Sequence, residues 1–175
     1  MGRSDYAANS GDGNDDLTWT PSSQSTVEAM TEEEWQALPG TSDDATGITF
    51  CRSTVTMAQV RDGSTNTYLV GEKYLRPKNY ETGVDWGDDQ GWDIGFDYDT
   101  NRFTCSSGTT VTHQPTQDRT GYYNYKIFGS AHAGAMNMSL CDGSVRKISY
   151  SIDPETHRRL GNRKDGLPID ATKIR

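Results

Sequence analysis

The chain has 175 residues, a formal net charge of −8 and only 25 residues of Leu, Ile, Val and Phe, a low aliphatic share for a charged protein. Nine Tyr and four Trp supply large buriable surface instead, so one folded, loop-rich domain with a small core is expected. No apolar run is long enough for a transmembrane helix, no signal peptide is visible at Met1, and no basic face is present, which argues against membrane insertion by this chain and against nucleic-acid binding.

Residues 1–26 read as an irregular lead-in rich in Asp, Gly and Ser. A helix is expected over Thr31–Leu38: Thr31 caps it, Glu34 completes a capping box, and Pro39-Gly40 stops it. Ile48–Cys51 and Val55–Val60 read as short strands, followed by a turn at Arg61–Ser64 and a more apolar strand over Thr67–Tyr74. Residues 76–101 are acidic and aromatic without periodicity, Ser106–Asp118 is a second stretch of low pattern, and Tyr122–Phe128 reads as another strand.

The best-defined unit is Met136–Tyr150. A two-residue Asp142-Gly143 loop would put Ile148 and Tyr150 on the face opposite the methionines. A three-residue loop, Cys141-Asp142-Gly143 with Gly143 left-handed, puts Met136, Met138, Leu140, Ile148 and Tyr150 on one face, so the longer loop is expected. A helix then starts at Asp153 as cap with Pro154 in its first position, carries Arg158 and Arg159 in its last turn and closes at Gly161. Residues 162–175 read as an exposed tail. The expected architecture is a β-rich α+β single domain of antiparallel hairpins with two short helices and long loops, spanning residues 1–175.

The run ending in His132, nine residues, then Asp142-Gly143 resembles the H-x9-DG signature of the planctomycete prepilin-like family known as domain of unknown function 1559. Asp62–Lys73, Ile152–Arg163 and Arg3–Ala7 are similar to further blocks of that family. The resemblance implies that this chain is the C-terminal globular part, with the N-terminal pilin-like helix absent. It further implies an extracytoplasmic or cell-surface domain whose partners are other pseudopilin-like subunits or extracellular polysaccharide.

No nucleophile elbow, phosphate-binding loop or zincin motif occurs, and the domain is read as non-enzymatic. His132 and Asp142 could form a base–carboxylate dyad, but a strand between them would hold them apart, so Asp142 is expected to serve the turn and His132 a local hydrogen bond. Glu72, expected on one strand face with Tyr68 and Val70, would pair with Arg52, Arg61 or Arg146. Cys51, Cys105 and Cys141 have no metal-type spacing; pairing of Cys51 with Cys105 stays open. The segment Asp85–Asn101 holds six Asp and no Lys or Arg, a density that needs a cation or a base. Asp97, Asp99 and Asn101, with Asp88, Asp89 and Asp93 nearby, are the candidate ligands of an irregular calcium site. The other readings are a solvated loop whose Trp86, Trp92 and Phe96 pack back onto the core, and a glycan surface built from Trp86, Trp92 and Tyr98, as in a carbohydrate-binding module or glycan-active enzyme.

Overall fold

The computed structural model describes residues 2–13, 24–36, 45–106 and 112–174. Its central feature is a five-stranded mixed sheet in the order β3-β1-β2-β6-β7, formed by β1 (Tyr6–Asn9), β2 (Tyr68–Glu72), β3 (Asn101–Arg102), β6 (Ala135–Leu140) and β7 (Val145–Ser149). A two-stranded parallel sheet pairs β4 (Thr116–Gln117) with β5 (Gly129–Ser130). Among the described residues three short α-helices, α1 (Gln24–Ala29), α2 (Glu32–Gln36) and α3 (Pro154–Gly161), and four 3-10 turns accompany the sheets. The domain is α+β and β-rich, as its composition implies. It is less hairpin-like than expected, because β1 runs parallel to β3 and β6–β7 is its one tight hairpin among the described residues.

That hairpin adopts the three-residue loop. Met136 faces Ile148, Met138 faces Arg146 and Ser139 faces Val145, while Gly143 sits at φ 83° and donates its N–H to the Leu140 carbonyl. Met136, Met138, Leu140 and Ile148 are all buried, and with Tyr68, Phe128, Ile152 and Leu160 they form the core, against which Tyr150 packs. Helix α3 begins as its sequence dictates: the Asp153 carboxylate accepts from the Thr156 N–H and Pro154 opens the first turn. Its His157 is fully buried against Tyr68, whose hydroxyl lies 3.3 Å from Nδ1. Gly161 does not serve as a left-handed stop. It is the last helical residue, and a side chain there would strike Thr104.

The Thr31–Glu34 capping box forms as expected, each partner bonding the other's backbone N–H, while the expected end of that helix lies outside the described residues. Several other expectations are corrected. The lead-in is not wholly irregular: β1 sits inside the sheet, because its small Ala7 and buried Asn9 fit between neighbours and the Asn9 amide donates to the Tyr68 and Gly161 carbonyls. Ile48–Cys51 forms no strand; the Ile48 and Thr49 N–H groups both bond the Asn9 carbonyl. Within Val55–Val60, Met57–Gln59 turns into a 3-10 helix behind a second Thr–Gln capping box. Tyr122–Phe128 forms no continuous strand, and ladder pairing begins only at Phe128, opposite Lys73. Within the tail, Arg163 and Ile174 are buried, and Arg163 donates to the Ala45 and Gly47 carbonyls.

Candidate functional site

The site begins with a fault in the register of β2. Against β6, Tyr68 aligns with Leu140 and Gly71 with Met138, so the pairing shifts between Tyr68 and Val70. An inserted residue reverses which face the following side chains point to. Gly71 therefore turns to the core, where a side chain would meet Met138 and Phe128, and Glu72 turns to the opposite face, away from Tyr68. The expected arginine pairing of Glu72 is not formed. Its Oε2 accepts from the Asn137 N–H at 2.6 Å, and its Oε1 accepts from Asn137 Nδ2 and lies 3.2 Å from His132 Nε2.

Glu72 and His132 line a pocket of about 370 Å³ together with Asp5, Tyr80, Asp118 and Ser130; Lys73, Leu75, Asp88 and Ala131 complete its wall. The Asp118 carboxylate accepts from the Tyr80 hydroxyl at 2.6 Å and from the Leu75 N–H at 3.0 Å. Burial raises its pKa above the ordinary carboxylate value, the negative charges of Asp85 and Glu72 add to that, and the two hydrogen bonds oppose it. The Tyr80 phenol is likewise raised, first by burial and then by its bond to Asp118. Ser130 is fixed by Tyr150, whose hydroxyl lies 3.0 Å from Ser130 Oγ and within reach of the Ser130 and His132 carbonyls, which share its one proton. His132 remains largely exposed at the rim.

The two halves of the H-x9-DG run thus do different work. His132 lines the pocket. Asp142 accepts from the Ser144 N–H and hydroxyl at the far end of the hairpin, which holds the turn whose left-handed residue is Gly143. They form no dyad.

Beside the pocket, the two buried carboxylates Asp85 and Asp88 of the acidic segment are neutralised by bases brought from elsewhere in the chain. Buried Lys73 donates to Asp88 Oδ1 at 2.8 Å and to the Gly87 and Asp99 carbonyls; Arg3 holds the other Asp88 oxygen at 3.0 Å, and Arg76 pairs with Asp85. Burial lowers the Lys73 pKa, and the Asp88 hydrogen bond counters it. Fully buried Arg102 bonds the Tyr98, Asn101 and Gly87 carbonyls, and burial brings its pKa down to about 10.

The candidate calcium ligands are placed differently from a metal site. The Asn101 amide turns inward, accepting from Ser10 and donating to the Asp97 carbonyl. Asp99 Oδ1 accepts from the Gln90 N–H, and burial raises its pKa to about 6. Asp97 accepts from the Asp99 N–H, and Asp89 and Asp93 are exposed. Among the described residues no three His, Cys, Asp or Glu side chains gather to hold a metal ion. Cys51, Cys105 and Cys141 are all free thiols.

The tryptophans of this segment do not plug the core. Trp86 is 63% exposed and leans on Tyr125, which in turn contacts Tyr98 and Tyr123. The Arg76 guanidinium lies 3.7 Å from the Tyr123 ring centre, and the Lys126 ammonium 5.4 Å from that of Tyr98. Trp92, 68% exposed, lies apart from this cluster beside Gly2. Of the three expected ligand-surface aromatics, Trp86 and Tyr98 are therefore joined through Tyr125 and Trp92 is not. Tyr123 and Tyr125, the missed members, follow a Gly121 turn in a Tyr-Tyr-Asn-Tyr run, the one local signal that could have pointed to them. Asp5, Tyr80, Asp118 and Ser130 were missed as pocket residues because they come from four separate parts of the chain.

Residues 1–155 match the family described as a protein of unknown function (DUF1559). The chain belongs to this family. No curated protein and no solved structure matches it.

Proposed function

We propose that this chain is the non-enzymatic, extracytoplasmic globular domain of a pseudopilin-like surface protein, and that it captures extracellular polysaccharide. The observation that carries the reading is the aromatic face of Trp86, Tyr123 and Tyr125. Exposed Trp and Tyr rings grouped on one surface and flanked by Arg76 are costly to leave in water, and such groupings mark recognition surfaces. Ring faces suit the apolar faces of sugars, and Arg76, held at their edge by buried Asp85, offers N–H groups to hydroxyls. Among the described residues no helix is long and apolar enough to cross a membrane, which is compatible with a domain held at the surface by another segment or by other pseudopilin-like subunits.

Affinity electrophoresis through gels containing soluble polysaccharides, paired with tryptophan fluorescence, tests this. A retarding polysaccharide is expected, with Trp86→Ala losing about tenfold or more in affinity and Trp92→Ala little. Retardation that survives Trp86→Ala and Tyr123→Ala together would overturn the assignment to this face, and hydrolysis of the retained polysaccharide would turn the reading toward a glycan-active enzyme.

A further inference from the structure

We infer that the pocket lined by Glu72, Asp118, Asp5 and His132 is a separate binding site for a small organic cation bearing a primary ammonium group. It is not the aromatic face, and it stands or falls without polysaccharide capture.

The first argument is charge. Four carboxylates line the pocket, those of Asp5, Glu72, Asp88 and Asp118, against one lysine. Lys73 is committed to Asp88, together with Arg3 from outside the pocket. No lysine or arginine pairs with Asp5, Glu72 or Asp118 among the described residues. The hydrogen bonds given to Glu72 and Asp118 come from neutral donors, Asn137, Tyr80 and the Leu75 backbone, with His132 the remaining partner of Glu72. These donors position the carboxylates without neutralising them. Each carboxylate has about four acceptor sites, so both retain capacity for a further N–H donor.

The second argument is size and spread. A volume of about 370 Å³ lies at the small end of ligand pockets, the scale of a single amino acid or monosaccharide. The carboxylates surround this space and do not converge on one point: no three acidic, His or Cys groups among the described residues can share a metal ion. A cavity ringed by separated negative charges suits an extended cation with several donors better than a bare ion. Leu75 and Ala131 give such a ligand's carbon skeleton an apolar wall, and the half-exposed Tyr80 ring is available for cation–π contact. The third argument is electrostatic strain. Asp118 already sits above the usual carboxylate range through burial and through repulsion from Asp85 and Glu72, a repulsion that a bound ammonium group relieves.

The test is titration calorimetry on the whole chain with matched pairs of probes: glucosamine against glucose, and lysine amide against N-acetyl-norleucine amide, which lacks both ammonium groups. Binding of glucosamine or lysine amide, with the partner lacking an ammonium group at least about tenfold weaker, is expected, and which pair responds distinguishes an amino sugar from an amino-acid-like amine. Added salt should weaken the binding. Asp118→Asn and the exposed, fold-sparing Asp5→Asn should each reduce the affinity, whereas Trp86→Ala should leave it unchanged. Equal binding of charged and neutral partners, binding indifferent to both Asp variants, or no heat from either ammonium probe at millimolar concentration would each overturn the inference.

Discussion

The core around the β6–β7 hairpin and the acidic segment from Asp85 to Asn101 are held by opposite means. In the first, side chains from consecutive elements meet: Met136, Met138, Leu140, Ile148, Ile152 and Leu160 bury one another within a short stretch of sequence. In the second, local residues repel, and cohesion comes from Arg3, Lys73 and Arg76 reaching in from other parts of the chain. Apolar burial is non-directional and tolerates some loss, whereas a buried ion pair that loses one member leaves an uncompensated charge. The acidic segment should therefore be the more brittle of the two.

Lys73→Met gives the sharpest contrast. It strands Asp88 with Arg3 alone, takes the Lys73 donor from the Asp99 carbonyl and leaves the Gly87 carbonyl to Arg102, and a loss of about 3–5 kcal/mol is expected in urea unfolding. A loss below 1 kcal/mol would break the comparison. Met138→Ala, a fully buried truncation in the core, should cost about 2–5 kcal/mol, and near neutrality would mean that the hairpin face is loosely packed.

Acid sharpens the contrast from another side. Burial draws the His157 pKa down to about 3 from 6.5, so the unfolded state takes up that proton first. Its contribution is complete above about pH 6.5 and falls by about 1.4 kcal/mol per unit as the pH drops toward 3. Asp99 works the other way: with its pKa raised to about 6 from 3.8, the folded state protonates first, and stability is gained as the pH falls through that window. Urea midpoints followed from pH 7 to 4 should therefore fall more steeply in Asp99→Asn than in the natural sequence, and His157→Gln should flatten the profile. Parallel profiles in all three would refute both assignments.

Smaller effects belong to the hairpin and helix ends. Gly143→Val forces a β-branched residue to a φ near 83° and should cost about 1–2 kcal/mol. Asp153→Ala removes the α3 cap and should cost about 1 kcal/mol, read as a lower thermal midpoint.

The same contrast explains what was legible in the sequence. Local rules suffice where the stabilising partner is near in the chain: the Thr31–Glu34 box, the Asp153 cap, and a hairpin register fixed by the demand that Met138 and Ile148 share a face. They fail where the partner is remote. Tyr6–Asn9 carries no strong strand pattern and becomes a strand because two others flank it. The facing of Glu72 turned on a single inserted residue in β2. The acidic segment announced a need for positive charge, yet nothing near it identified Lys73, Arg3 and Arg76 as the source. Within the candidate site, His132 and Glu72 stood out alone, whereas their union with Asp118 and Tyr80 is purely tertiary.

The position of β1 also bears on how the molecule comes into being. A ribosome releases Tyr6–Asn9 well before the strand's neighbours, Tyr68–Glu72 and Asn101–Arg102. Until then both rims of the nascent strand lack their permanent partners and are open to pairing with another chain. The hairpin and α3, contiguous in sequence, need no such wait once they emerge, so closure of the sheet around β1 is the step set by long-range loop formation. Of the strands in this sheet, the first to be made is thus the one fitted last, and the interval between is when this domain is most exposed to misassembly.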